Sequence, residues 1–348
     1  MTDTAKTVRV VLSGVVRAYG LRLRRRRYLW RSFRSRHALK AVRARTGAIR
    51  KTDILCFMTV RNEALRLPHF LDHYRRLGVD HFLIVDNAST DGTGALLEAQ
   101  PDVSLWHTQA SYKLSRFGLD WVTWLQFRHG HDHWCLTVDA DELMIYPYWE
   151  TRPLSALTGW LDEQEIGALG AMMLDLYPDG PLSNAQIDPG DDPLTVLRWF
   201  DGGNYSVQVQ DRMGNLWIQG GPRARMFFAD DPRRAPTLNK IPLVRWDRRF
   251  AYVNSTHAML PPRMNRVYAT DGAERISGLL LHTKFLNEII PKAAEEKTRK
   301  QHFANSTLYD GYYETLTGDP VLRCATSETL GDWRRLEALG LMSRGGWV

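Results

Sequence analysis

From Ile54 onward the chain alternates between short β-rich apolar runs and segments of helical periodicity. ILCFMTV (54–60), HFLIVD (81–86), VSLWH (103–107) and WCLTVD (134–139) read as strands, the first buried on both faces. Between the first two, Leu67, Phe70, Leu71, Tyr74 and Leu77 mark a helical stripe that Gly78 ends. Asp91-Gly-Thr-Gly opens a short helix, and Arg116 to His129 reads as another. Strand and helix in turn, with short connections, predict an α/β fold: a mostly parallel sheet with helices on both faces. After Pro147 a helix at 154–161 and a strand at 168–176 continue the pattern. Residues 178–193 read as a loop, 202–271 as irregular strands and loops over a crevice, and SGLLLHTKF (277–285) as a last strand before a charged helix to about His302.

In such sheets ligands bind beyond the carboxyl ends of the strands. Those ends here are TVRNE, VDNASTDGT and VDADE, all rich in Asp, Asn and Glu. Asp139 and Asp141, two apart, would share one face of a strand. Two close carboxylates raise each other's pKa unless a cation or donors offset them. A divalent ion bridging to a diphosphate does so. The alternative is that Asp141 and Glu142 cap a helix or face solvent, since Asp-x-Asp by itself is common.

With 348 residues, 44% of them apolar, the chain can bury a large core. The net charge of +7 is unevenly spread. Residues 1–52 hold thirteen Arg and three Lys against Asp3, or +15, which leaves −8 for the remainder. Arg9 and Arg17 interrupt the apolar stretches of this leader, so no run reaches the ~18–20 residues of a spanning helix. It also lacks the apolar core and small-residue cleavage site of a secretory signal. Two readings stay open for it, a helix lying on an anionic membrane face and a solvated, partly disordered tail. Nucleic-acid binding is not expected. Cys56, Cys135 and Cys324 show no metal-type spacing and no disulfide framework, which favours a reducing compartment.

TVRNE, VDNASTDGT and DADE in this order resemble the family 2-like glycosyltransferases with the GT-A fold. HWCLTVDADELMIYP together with KIPLVRW, STHAML and SGLLLHTKF is similar to a bacterial branch of that superfamily, over about residues 53–290. The resemblance implies a GT-A domain over 53–305, with an irregular acceptor side, between the leader (1–52) and a C-terminal helical extension (306–348). It implies transfer of a sugar from a UDP- or GDP-sugar to a saccharide or lipid-linked acceptor, in surface polysaccharide synthesis. The protein would then be cytoplasmic or peripheral on the inner membrane face.

By position, Thr59, Arg61, Asn62 and Glu63, with Asp86, Asn87 and Asp91, correspond to the base and ribose pocket. Asp139 would lie near the ribose and metal, and Asp141 would be the main ligand of Mn²⁺ or Mg²⁺. His282 would complete the metal site, with His257 the second candidate. Lys240, Lys113 and Arg116 are candidates for the diphosphate, or else surface charges. The superfamily's Glu-Asp pair, which often supplies the base, is missing. Asp175 therefore ranks first as base, ahead of Asp179 and Asp211.

Two other function classes compete. A metal-dependent nucleotidyltransferase would carry a Gly-rich loop after its first strand, and TVRNEALRLP has no glycine. A non-catalytic membrane- or nucleic-acid-binding protein would not need DADE and His282 together.

Overall fold

The structure is a computed structural model that describes residues 3–269, 274–299 and 310–348. The leader forms a long helix, α1 (Asp3–Ser35), followed by an edge strand, β1 (Lys40–Arg43). The predicted alternation then follows: β2 (Leu55–Val60), α2 (Leu67–Leu77), β3 (His81–Asp86), α3 (Thr93–Ala99), β4 (Val103–His107), α4 (Leu119–His129) and β5 (Trp134–Thr137). Helix α2 stops where expected, because Gly78 takes the left-handed conformation (φ +96) and its N–H bonds back to the helix carbonyls. Helix α4 begins three residues later than predicted. Arg116, Phe117 and Gly118 all have positive φ and form a tight turn instead.

A short turn leads from β5 to β6 (Glu142–Ile145), then α5 (Leu154–Glu163) and β7 (Ala168–Asp175). Strand β8 (Trp199–Asp201) follows, and the stretch expected to be irregular holds a hairpin of β9 (Ser206–Gln210) and β10 (Asn215–Gln219), α6 (Gly221–Phe227), β11 (Asn239–Arg245), and the short pair β12 (Ala251–Tyr252) and β13 (Met259–Leu260). The chain continues through β14 (Ser277–His282), α7 (Ile289–Arg299), α8 (Asp310–Thr317), β15 (Ser327–Thr329) and α9 (Trp333–Ala338). The expected end of the charged helix at His302 lies outside the described residues.

Nine strands form one twisted sheet in the order β1-β4-β3-β2-β5-β11-β7-β14-β6. Strands β4, β3, β2, β5, β7 and β14 run one way, and β1, β11 and β6 run against them. This is a mixed α/β, Rossmann-like architecture with a large, mostly parallel sheet flanked by helices. The place of β11 corrects the sequence reading. A segment expected to lie over the crevice instead fills the middle of the sheet, between β5 and β7.

The leader also packs on the body. Strand β1 pairs with β4, and α1 lies along α4 with an Arg31–Asp120 ion pair of 3.1 Å. The C-terminal residues fold back as well. Strand β15 pairs with β8, and the Trp347 indole N–H donates to the Pro147 carbonyl at 3.0 Å.

Candidate active site

The six common-direction strands deliver their carboxyl ends to one edge of the sheet. Asp86 closes β3, the DADE turn follows β5, Asp175 closes β7 and His282 closes β14. Strand β11 runs the other way, so its beginning, Asn239 and Lys240, lies at the same edge. Register then sets the neighbours: His282 stands opposite Asp175 on one side and Glu142 on the other.

DADE is a turn, not a strand end. Strand β5 stops at Thr137, and the Glu142 N–H donates to the Asp139 carbonyl at 3.1 Å. Strand periodicity therefore does not align Asp139 and Asp141, and their carboxylates diverge. Asp139 Oδ2 accepts from Lys240 Nζ at 3.3 Å, while Asp141 Oδ2 lies 3.2 Å from His282 Nε2. Glu142 is buried between the two. It accepts from Lys240 Nζ at 2.8 Å and from the Asp139 N–H at 3.1 Å. Burial opposes the Lys240 charge, but Glu142 and Asp139 override it and raise its pKa. Lys240, with a side chain 4% exposed, thus braces the turn from below.

His282 carries the most informative geometry. Its Nδ1 is 2.6 Å from Asp175 Oδ1, and Asp175 Oδ2 accepts from Arg223 Nε at 2.7 Å. Burial alone would raise the Asp175 pKa, but Arg223 and then His282 pull it down to about 2. Asp175 is therefore an anion that can only accept, which fixes the proton on Nδ1. Nε2 then faces a second carboxylate, Asp141. Two acceptors cannot share that gap without a cation between them, either the proton of an imidazolium or a metal ion.

Asp141 and Asp175 raise the His282 pKa against the effect of burial, and Asp141 is held well below the usual carboxylate range by His282, also against burial. The Thr283 N–H and hydroxyl, donating at 2.7 and 3.1 Å, pin the Asp141 carbonyl and fix the turn.

Among the described residues, no group of three or more His, Cys, Asp and Glu side chains stands ready to hold a metal. The Asp141–His282 pair nonetheless suits a small divalent ion. Two cis ligands of an octahedral ion with ~2.1 Å bonds stand ~3.0 Å apart. A histidine whose other ring nitrogen is anchored by a carboxylate is the usual protein form of such a ligand. Substrate phosphates and water would have to complete the coordination.

Two cations missed by sequence reasoning complete the edge. Arg223 is buried, and its Nη2 has no hydrogen-bond partner. Lys284 has its pKa lowered, first by burial and then by Arg223, so the two positive groups crowd each other. An anion placed between them would relieve that repulsion. Lys284 was visible as the residue two beyond the strand-ending His282. Arg223 comes from a helix 48 positions after Asp175, and no periodic signal links them.

The residues assigned to the base and ribose divide into two groups. Most knit the β2–α2 and β3–α3 loops together. Arg61 donates to the Asn87 and Ala88 carbonyls at 2.9 and 2.8 Å, and Asn62 Oδ1 accepts from the Thr90 N–H at 2.8 Å. The Glu63 carboxylate bonds Arg66 and Lys292 at 3.0 and 2.9 Å. Asp86 Oδ1 accepts from the Ser89 N–H and hydroxyl, and Asn87 Nδ2 donates to the Thr108 and Ala110 carbonyls. Asp91 caps the start of α3 through the Thr93 N–H at 3.0 Å.

Thr59 differs. With Asp139, Lys240, Phe117 and Thr256 it lines a cavity of about 60 Å³, where the Thr59 and Thr256 hydroxyl oxygens are buried without partners. Gly118 walls that cavity closely, because a Cβ there would sit 2.7 Å from Thr59 Oγ1.

Several other candidates fall elsewhere. His257 Nδ1 lies 2.6 Å from the Asn239 carbonyl, and burial, reinforced by Lys240, lowers its pKa to about 3. It stands beside Lys240 and away from Asp141. Arg116 bonds Asp120 at 2.7 Å and the Tyr252 carbonyl at 2.9 Å, so it is an internal clamp and not a solvated charge. Asp179 pairs with Arg323, and Asp211 is exposed. Asp175, ranked first as base, has a side chain 1% exposed, with both oxygens engaged behind His282.

No protein-family model matches the sequence, and no curated protein matches it either. Among solved structures, the chain is similar to 4-diphosphocytidyl-2C-methyl-D-erythritol synthase at 16% identity and a TM-score of 0.25, over 49% of this chain and 74% of that one. It is also similar to a protein of Bacillus anthracis described as a glucose-1-phosphate thymidylyltransferase, solved with sucrose, at 8% identity and a TM-score of 0.22, over 40% of this chain and 65% of that one. Likeness at this level adds nothing about activity.

Proposed function

We propose that this chain is a metal-dependent glycosyltransferase that moves a sugar from a nucleotide-sugar to a saccharide or lipid-linked acceptor. The observation that carries the reading is the Asp141–His282–Asp175 series at the carboxyl edge of the sheet, with Arg223 and Lys284 beside it. In this reading Asp141 and His282 would hold Mn²⁺ or Mg²⁺, which when bound would supply positive charge to offset that of a departing nucleoside diphosphate. Arg223 Nη2 and Lys284 would bind oxygens of the donor's diphosphate. Thr59 and Asp139 receive the nucleoside side of the donor, while Lys240 supports the DADE turn. Asp175 keeps the Nδ1 proton in place and so presents Nε2 outward. It is a positioning residue in this scheme and not the base.

The test is a pair of reactions with Mn²⁺ present. One offers nucleotide-sugars and is read for free nucleoside diphosphate. The other offers sugar 1-phosphates with nucleoside triphosphates and is read for pyrophosphate. Release of nucleoside diphosphate that stops on Asp141→Asn supports the proposal. Pyrophosphate formation instead would make the chain a nucleotidyltransferase.

A further inference from the structure

Helix α1 turns one face to the body and leaves the opposite face bare. At 100° per residue, Leu21, Tyr28 and Ser32 fall on one side, and Leu21 and Ser32 are buried. Val16, Tyr19, Leu23 and Trp30 fall on the other, exposed at 71%, 62%, 45% and 60%. A helix face left to water is ordinarily polar. This one is apolar and aromatic, flanked by the exposed Arg22, Arg26, Arg27 and Arg34.

The surface continues beyond the leader. Trp30 stacks on Phe33 at 5.5 Å, Phe33 meets Trp124 of α4 edge-on at 5.8 Å, and Trp124 stacks on Phe127 at 5.8 Å. Arginines interleave with this run: Arg36 lies 3.6 Å above Phe33, Arg128 is 6.0 Å from Trp124, and Arg248 is 6.0 Å from Phe127. On its flank, Arg25 stands near Arg22, Arg249 and Arg263, with Asp247 to offset them. Burial and these neighbours lower the Arg25 pKa, and its Nε is buried without a partner.

We propose that this composite face of α1, α4 and the Arg248 loop docks on an anionic lipid bilayer, with Tyr19, Leu23 and Trp30 in the interface and the arginines on headgroup phosphates. Charge favours this orientation, since the exposed Arg22, Arg26, Arg27 and Arg34 lie on α1 while residues 53–348 carry a net −8. The aliphatic Val16 and Leu23 suit an acyl boundary and have no stacking role for a nucleobase. The face of Phe33 is already covered by Arg36. This inference is independent of the transferase reading.

The test is cosedimentation of the full chain with phosphatidylcholine vesicles, with and without phosphatidylglycerol, and a parallel titration with a single-stranded oligonucleotide. Binding should be roughly tenfold or more stronger to the anionic vesicles and should weaken as salt rises. Trp30→Ser and the pair Arg26→Glu/Arg27→Glu, all at exposed positions, should each cost most of that difference. Phe127→Ser, which lies outside the leader, should also weaken binding. Equal binding to neutral vesicles, no binding to either, or wild-type binding by both Trp30→Ser and Phe127→Ser would overturn the proposal. Capture of the oligonucleotide without vesicle binding would overturn it in favour of nucleic acid.

Discussion

The surroundings of Asp175 do not suit the role of base that the sequence suggests for it. Its two oxygens are occupied by His282 and Arg223, and its pKa of about 2 makes it a poor proton acceptor near neutrality. Asp175→Asn should lower metal-dependent nucleoside-diphosphate affinity by about 10- to 100-fold, the usual cost of losing a carboxylate behind a metal-binding histidine. A base would behave differently, since turnover would vanish while affinity stayed, and titration calorimetry beside a rate assay separates the two.

A second residue-scale prediction concerns acid. Burial lowers the His73 pKa to about 4, against the backbone bond to Met144. The fold therefore favours neutral His73, while the unfolded chain protonates near pH 6.5. This contribution is complete above pH ~6.5 and is lost as pH falls towards 4, at up to about 3 kcal/mol. Urea unfolding at a series of pH values should show that loss, with a shallower slope in His73→Gln. An unchanged slope would remove His73 as its source.

At the scale of elements, the sequence was legible wherever one rule governed a segment. Strands β2, β3 and β4 and helix α2 emerged within a residue or so, because continuous apolar runs and a 3.6-residue stripe each have one structural solution. Strand β11 was not legible. Pro242 sits inside it, and a proline ordinarily argues against a central strand. The pairing with β7 shifts register between Lys240 and Leu243, so the missing N–H falls at an irregularity in the ladder. Long-range pairing decided that segment.

The carboxyl-edge motifs were visible for the same reason as the strands. Which of their side chains meet was not, because the DADE turn sends Asp139 and Asp141 apart. That turn rests on the buried Lys240–Glu142 pair. Lys240→Met should destabilise the fold by about 3–5 kcal/mol by leaving Glu142 uncompensated. Adding Glu142→Gln should recover part of the loss. An additive double variant in chemical denaturation would show that the pair does not interact.

For the whole molecule, the charge division was plain in the sequence, but its structural meaning was not. A +15 leader suggested a separable tail. Instead β1 extends the sheet and Arg31 helps neutralise the buried Asp120. Removing residues 1–52 should therefore lower the thermal midpoint as well as any affinity for vesicles, and an unchanged midpoint would return the leader to a tail.

Among the described residues, no helix is long and apolar enough to cross a membrane. The proposed reaction face is the carboxyl edge of the sheet, where Asp141 and His282 meet. The most direct test of that face is calorimetric titration of UDP and GDP into the full chain, with and without Mn²⁺, for the native protein and for Asp141→Asn and His282→Ala. At least one nucleoside diphosphate should bind only with the metal, and both variants should lose this binding while remaining folded. Metal-independent binding, or native affinity in both variants, would contradict it.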